Sequence, residues 1–196
     1  MTSLDVSAEV TAKYIWDNQK WLENALQVYE AMPTIRDLLA QEIMDGAKQL
    51  LGEAGYVSEA NSLPCVGVRT VKDSPFSLRA ELELSSKGSK WLYLACHVDQ
   101  AASIRAKERK RVFEAFLDGT SKLDGVASGD TGSNKRYAWI YLAGELRDWN
   151  SDGFLRGAIL RRAELKESLS RLLCESREHL ERALDAVPEQ YDDEDQ

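Results

Sequence analysis

The sequence predicts an α+β fold: an antiparallel sheet of about four strands packed by helices, in the order α-α-β-β-β-α-β-α. Three observations predict it. Phe76, Leu78, Ala80, Leu82 and Leu84 alternate without a miss against Ser77, Arg79, Glu81, Glu83 and Ser85, the period of a strand with one dry and one wet face. Two further β-rich runs flank this one across short turns, the spacing of an antiparallel meander. Apolar residues recur at helical spacing before and after this block.

The elements follow in order. Residues 6–31 read as a helix, with Asp5 or Ser7 as cap and Ile15, Leu22, Leu26 and Tyr29 at helical spacing. Trp16 and Trp21 widen its apolar face, so it is expected to be buried on two sides or to meet a second subunit. Met32-Pro33 is expected to break it, with Pro33 opening a second helix whose inner stripe is Ile35, Leu39, Ile43, Ala47 and Leu50. Gly52 and Gly55 end that helix, and residues 56–62 read as a loop. Strand one covers about residues 63–71, strand two is the alternating run, and strand three covers residues 90–98. Strand three carries Trp91, Tyr93, Ala95 and His97 on one side and Leu92, Leu94, Cys96 and Val98 on the other, so it is expected to be central and covered on both faces. A third helix is expected over residues 103–117, then a glycine-rich loop over 118–135 that is long for a compact domain. Strand four, residues 136–143, is aromatic on one face through Tyr137, Trp139 and Tyr141. Beyond Gly153 and Gly157 the pattern Leu165, Leu169, Leu172, Leu173, Leu180, Leu184 and Val187 marks a last helix, stopped by Pro188. Residues 1–187 read as one domain and 188–196 as an acidic disordered tail.

Composition bounds the function. The chain has 196 residues, 43% of them hydrophobic, with a net charge of −8. No apolar run approaches the ~20 residues of a membrane span. The first residues lack a basic segment followed by an apolar block, so the chain reads as cytoplasmic, with no membrane partner. The acidic balance disfavours direct nucleic-acid binding. Five of the net negative charges sit in the tail, on Glu189, Asp192, Asp193, Glu194 and Asp195. That tail is either a solvating end or a docking strip for a basic partner. Cys65, Cys96 and Cys174 fit neither a disulfide framework nor a zinc pattern and read as buried thiols.

Few residues invite a chemical reading. Glu81 and Glu83 share one strand face, and paired acids can hold Mg²⁺ or act as acid and base. The plainer reading is a solvated sheet face. His97 could pair with a thiol, but Cys96 points to the opposite face. The glycine-rich loop from Gly125 to Lys135 does not fit a phosphate loop, because no hydroxyl follows the lysine and a strand follows where a helix is needed. Arg105, Lys107, Arg109, Lys110 and Arg111 make the third helix basic, without interleaved aromatics. Trp91, Tyr93, Trp139 and Tyr141 would form an aromatic platform if strands three and four were neighbours, serving either as core or as a partner-binding face. With no assembled catalytic set and no cofactor signature, the expectation is an acidic protein-binding module.

Two resemblances bear on this. The run Trp91-Leu92-Tyr93-Leu94-Ala95-Cys96-His97-Val98, a helix, a glycine-rich loop and Tyr137-Ala138-Trp139-Ile140-Tyr141-Leu142 together resemble class I secretion chaperones over roughly residues 34–175. The resemblance implies a small acidic homodimer that binds an unfolded segment of another protein. The same order of elements, with Asp148-Trp149-Asn150-Ser151, is similar to the PD-(D/E)XK nuclease core. That resemblance implies metal-dependent cleavage, for which Glu81 and Glu83 are the candidate acids. The acid-x-Lys triplet of that family is absent from Leu92-Tyr93-Leu94, which implies a catalytically silent copy.

Overall fold

In a computed structural model, which describes residues 3–52, 55–60, 63–69, 74–84, 90–98, 104–132 and 137–186, the alternating run becomes strand β3. Along the chain lie α1 (Ser3–Trp16), α2 (Gln19–Leu51), β1 (Gly55–Ala60), β2 (Leu63–Arg69), β3 (Phe76–Leu84) and β4 (Lys90–Val98). They are followed by α3 (Ala106–Thr120), β5 (Val126–Thr131), β6 (Tyr137–Leu142), a 3-10 turn (Gly144–Leu146), α4 (Asp152–Leu160) and α5 (Arg162–Asp185). The class is α+β, as expected. The sheet is larger than expected, with six strands ordered β1-β2-β3-β4-β6-β5 and every neighbouring pair antiparallel.

The chain divides into two compact units, Met1–Leu39 and Ala40–Gln196. The first holds α1 and the opening part of α2. Here the expected break at Met32-Pro33 is wrong. The helix ends instead at Asp17 and Asn18, and α2 runs on through Pro33. Asn18 supplies the restart signal, since its Oδ1 accepts from the Trp21 N–H at 3.4 Å. Pro33 is exposed, where water can replace the helix hydrogen bond that proline cannot donate.

In the second unit the sheet has one dry face. Val66, Val68, Phe76, Leu78, Ala80, Leu92, Leu94, Cys96, Val98, Ala138, Ile140 and Leu142 are all buried. α3 and α5 pack there, with Phe113 of α3 meeting Phe76 edge-on at 6.0 Å. Leu165, Leu169, Leu172, Leu173 and Leu180 form the buried stripe of α5. Close approach of the two helices is possible at Gly119, where an added Cβ would lie 2.4 Å from His179 Nδ1. The end of α2 joins the same layer through Ile43, Met44 and Ala47, all fully buried. Glu42 ties it to α5 at 3.0 Å from Arg162 and 3.1 Å from Lys166. The bond from Lys166 is the main reason its carboxyl lies below the usual range.

Three further expectations are corrected. Residues 56–62 were expected as loop, but 55–60 pair with β2 as strand β1. Half of the expected loop 118–135 is helix or strand: α3 extends to Thr120, and β5 (Val126–Thr131) pairs with β6 at the sheet edge. The last helical region is two helices. Ser151 caps α4 by accepting from the Phe154 N–H at 3.0 Å, and α5 starts anew at Arg162. Trp149 stacks on Phe154 at 4.9 Å and donates its indole N–H to the Leu146 carbonyl at 2.7 Å, which locks this corner. The acidic tail, 188–196, lies outside the described residues.

Candidate functional site

The opposite face of the sheet carries the site. Cross-strand register brings its residues together in rows: Glu81, Tyr93 and Tyr141; then Arg79, Ala95 and Trp139; then Ser77, His97 and Tyr137. β4 is therefore central, as expected, and its neighbour is β6, the pairing the aromatic platform required. It is not fully covered on both sides. Trp91, Tyr93, His97, Tyr137, Trp139 and Tyr141 are only half-buried, while Ala95 between them is completely buried. The small Ala95 side chain floors a shallow aromatic surface.

The rings form a continuous ladder. His97 stacks on Tyr137 at 5.7 Å, Tyr137 meets Trp139 at 5.4 Å, Trp139 meets Tyr141 at 6.4 Å, and Tyr141 meets Trp91 edge-on at 6.3 Å. Arg147 caps the end, its guanidinium 4.8 Å from the centre of the Trp91 ring. Its position is set by the backbone, since the Leu92 N–H donates to the Arg147 carbonyl at 3.0 Å and Trp91 bridges to Asp148. At the far end Gly132 leaves room for the Tyr137 ring, which an added Cβ would meet at 2.7 Å.

Glu81 anchors the ladder from β3. Tyr93 donates its hydroxyl to Glu81 Oε2 at 3.2 Å, His97 Nε2 lies 3.1 Å from Glu81 Oε1, and an Arg79 nitrogen lies 3.9 Å from the same oxygen. Burial of the carboxyl works to raise its pKa. His97, Tyr93 and Arg79 together more than offset that, and hold it below the ordinary carboxylate range. The indole N–H of Trp139 and the Arg79 Nε are buried with no acceptor among the described residues.

The sequence-predicted residues Trp91, Tyr93, Trp139 and Tyr141 are thus brought onto one surface. Glu81 joins them, and the Glu83 side chain lies outside the described residues. Among the described residues no group of three or more His, Cys, Asp or Glu side chains is placed to hold a metal ion. Cys96 is buried on the other face, where loss of solvation pushes its thiol well up. Cys65 is buried too, but Cys174 is exposed, which corrects the expectation that all three are buried. It lies on α5 among polar neighbours, outside the leucine stripe. Sequence reasoning missed Arg147 and the role of His97 as a ladder rung. Tyr137 was visible in the alternation of its strand.

No helix among the described residues is long and apolar enough to cross a membrane. No family model matches the chain, and neither a curated protein nor a solved structure gives a significant match.

Proposed function

We propose that this chain is a non-enzymatic, acidic protein-binding module of the cytoplasm, chaperone- or inhibitor-like, that acts by surface contact with a partner protein. One observation carries the reading: four aromatic rings and His97 form an unbroken ladder, with Tyr93 beside it, on a sheet face left half-exposed. Monomeric proteins rarely leave such a surface without a use, and tryptophan and tyrosine dominate the energetics of binding surfaces. Trp91, Tyr93, Trp139 and Tyr141 supply the contact, and the acidic tail steers a basic partner over about 10 Å at 0.1 M salt. The order helix, strands, helix, strands, helix supports the likeness to secretion chaperones. No cofactor is required.

The test is affinity capture from the host cytosol with the full chain and with Trp139→Ser. The reading expects one stoichiometric partner that the variant loses while its melting transition is retained. Retention of that partner by the variant would count against this face. Magnesium-dependent cleavage of nucleic acid, abolished in Glu81→Ala, would overturn the reading in favour of the nuclease-like alternative.

A further inference from the structure

The first unit carries a second apolar surface, independent of the sheet face. Along α2, Trp21, Ala25, Val28, Met32, Ile35 and Leu39 recur at alternating steps of four and three, the spacing of a coiled-coil seam. Seam residues in a closed unit would be buried. Here Trp21 is 50% and Val28 56% exposed, and the flanking Tyr29 and Leu38 are 77% and 66% exposed. The surface continues onto α1, whose Tyr14 ring lies 6.3 Å from that of Trp21 and, like Val10 one turn away, is exposed.

Area and charge indicate what covers it. An aromatic side chain offers roughly 150–250 Å², so these residues at their observed exposure leave on the order of 700 Å² open. That is close to the ~800 Å² each partner contributes to a stable interface, and above the ~300–600 Å² of the largest patch on a typical monomer. The positions flanking the seam are Leu22, Asn24, Tyr29, Ala31, Arg36 and Leu38, so only one is charged. Such a rim does not select a partner of opposite charge. The acids Glu23, Glu30 and Asp37 recur every seven residues on the far side of the helix. Two copies of a chain with net charge −8 can therefore meet along this seam without opposing their carboxylates.

We propose that the seam is a homodimer interface, in which two copies of this chain pack α2 against α2 from Trp21 to Leu39. A wide seam with apolar flanks suits a four-helix arrangement of two α1–α2 pairs better than a narrow two-stranded coil. Four of its six seam residues precede residue 34, so this pairing lies mostly outside the stretch that resembles the secretion chaperones. It does not depend on the function proposed for the sheet face.

Light scattering and sedimentation equilibrium of the full chain at micromolar concentration test it. The wild-type mass is expected at twice 22.0 kDa. Val28→Glu places a carboxylate on the seam at a site exposed in the single chain, and a two-fold interface counts it twice. Association should weaken by ~1,000-fold, to a monomer of unchanged helix content. Tyr29→Lys should act the same way, and Glu30→Lys, on the outer face, should leave the dimer intact. A wild-type mass of 22.0 kDa overturns the proposal, as does a Val28→Glu protein that stays dimeric. A monomer whose seam binds lipid vesicles or another protein overturns it as well.

Discussion

Replacing Glu81 by Gln removes one charge from the centre of the sheet face and keeps the shape of the side chain. The wild-type carboxylate is only 20% exposed, accepts from Tyr93 at 3.2 Å and lies 3.1 Å from His97. A hydrogen bond to a charged group contributes roughly 1.5–3 kcal/mol against about 0.5–1.5 for a neutral one, so the variant should lose about 1–2 kcal/mol. Relief of burying a charge pulls the figure toward the lower end, since burial is the largest single influence on this group. Urea unfolding across a pH series reads the effect. The folded-state pKa is depressed below the ordinary 4.5, so the stabilisation is complete above that value and is lost as pH falls through the folded value. The gap between wild type and Glu81→Gln should therefore be present above the ordinary 4.5 and close as the pH falls through the folded value below it. A gap that persists unchanged into strong acid, or a variant more stable than wild type at neutral pH, would refute the reasoning.

Two other outcomes follow from the packing. Ser151→Ala removes the cap of α4 and should cost ~1 kcal/mol, read as a fall in melting temperature of about 2–4 °C in calorimetry. Gly119→Ala should cost about 1–3 kcal/mol because its Cβ meets the His179 ring; in a His179→Ala background the same change should be neutral or stabilising, since alanine favours helix over glycine by about 1 kcal/mol, as a double-mutant cycle of urea midpoints would show.

The core was legible wherever one periodicity decided it. The alternation in β3 predicts its dry and wet faces, and Leu78 and Ala80 are buried while Arg79 and Glu81 are partly exposed. The leucines of α5 are buried at the predicted spacing. β5 was not legible because an edge strand reading Val-Ala-Ser-Gly-Asp-Thr has almost no apolar face to alternate. Gly129 lies there because a Cβ would strike Leu117, Ile140 and the Trp139 backbone, a reason that exists only in three dimensions. The improbable length of the expected loop was the available signal. Pro33 misled because its helix-breaking cost is a property of buried or unsupported helix, and exposure lowers it. Glu81 and His97 were both singled out, but for other partners. Their pairing depends on register between β3 and β4, which the period of neither strand specifies.

The Glu81 cluster and the aromatic ladder are one device rather than two. Tyr93 is held by its hydroxyl and His97 by Glu81 at its ring edge, and His97 in turn stacks on Tyr137, the first tyrosine of β6. Arg147 closes the opposite end over Trp91. Each ring therefore has a neighbour that limits its rotation, and the buried Ala95 leaves the sheet itself as floor. Ordering a mobile side chain on binding costs about 0.5–1.5 kcal/mol, so rings already fixed in the free protein present their area without that loss. A carboxylate that accepts from Tyr93 and lies beside His97 and Arg79 is well placed to hold a surface rigid. On the proposed binding role, removing the charge at Glu81 is expected to loosen binding along the whole ladder and not at one contact, because it acts through the position of the rings.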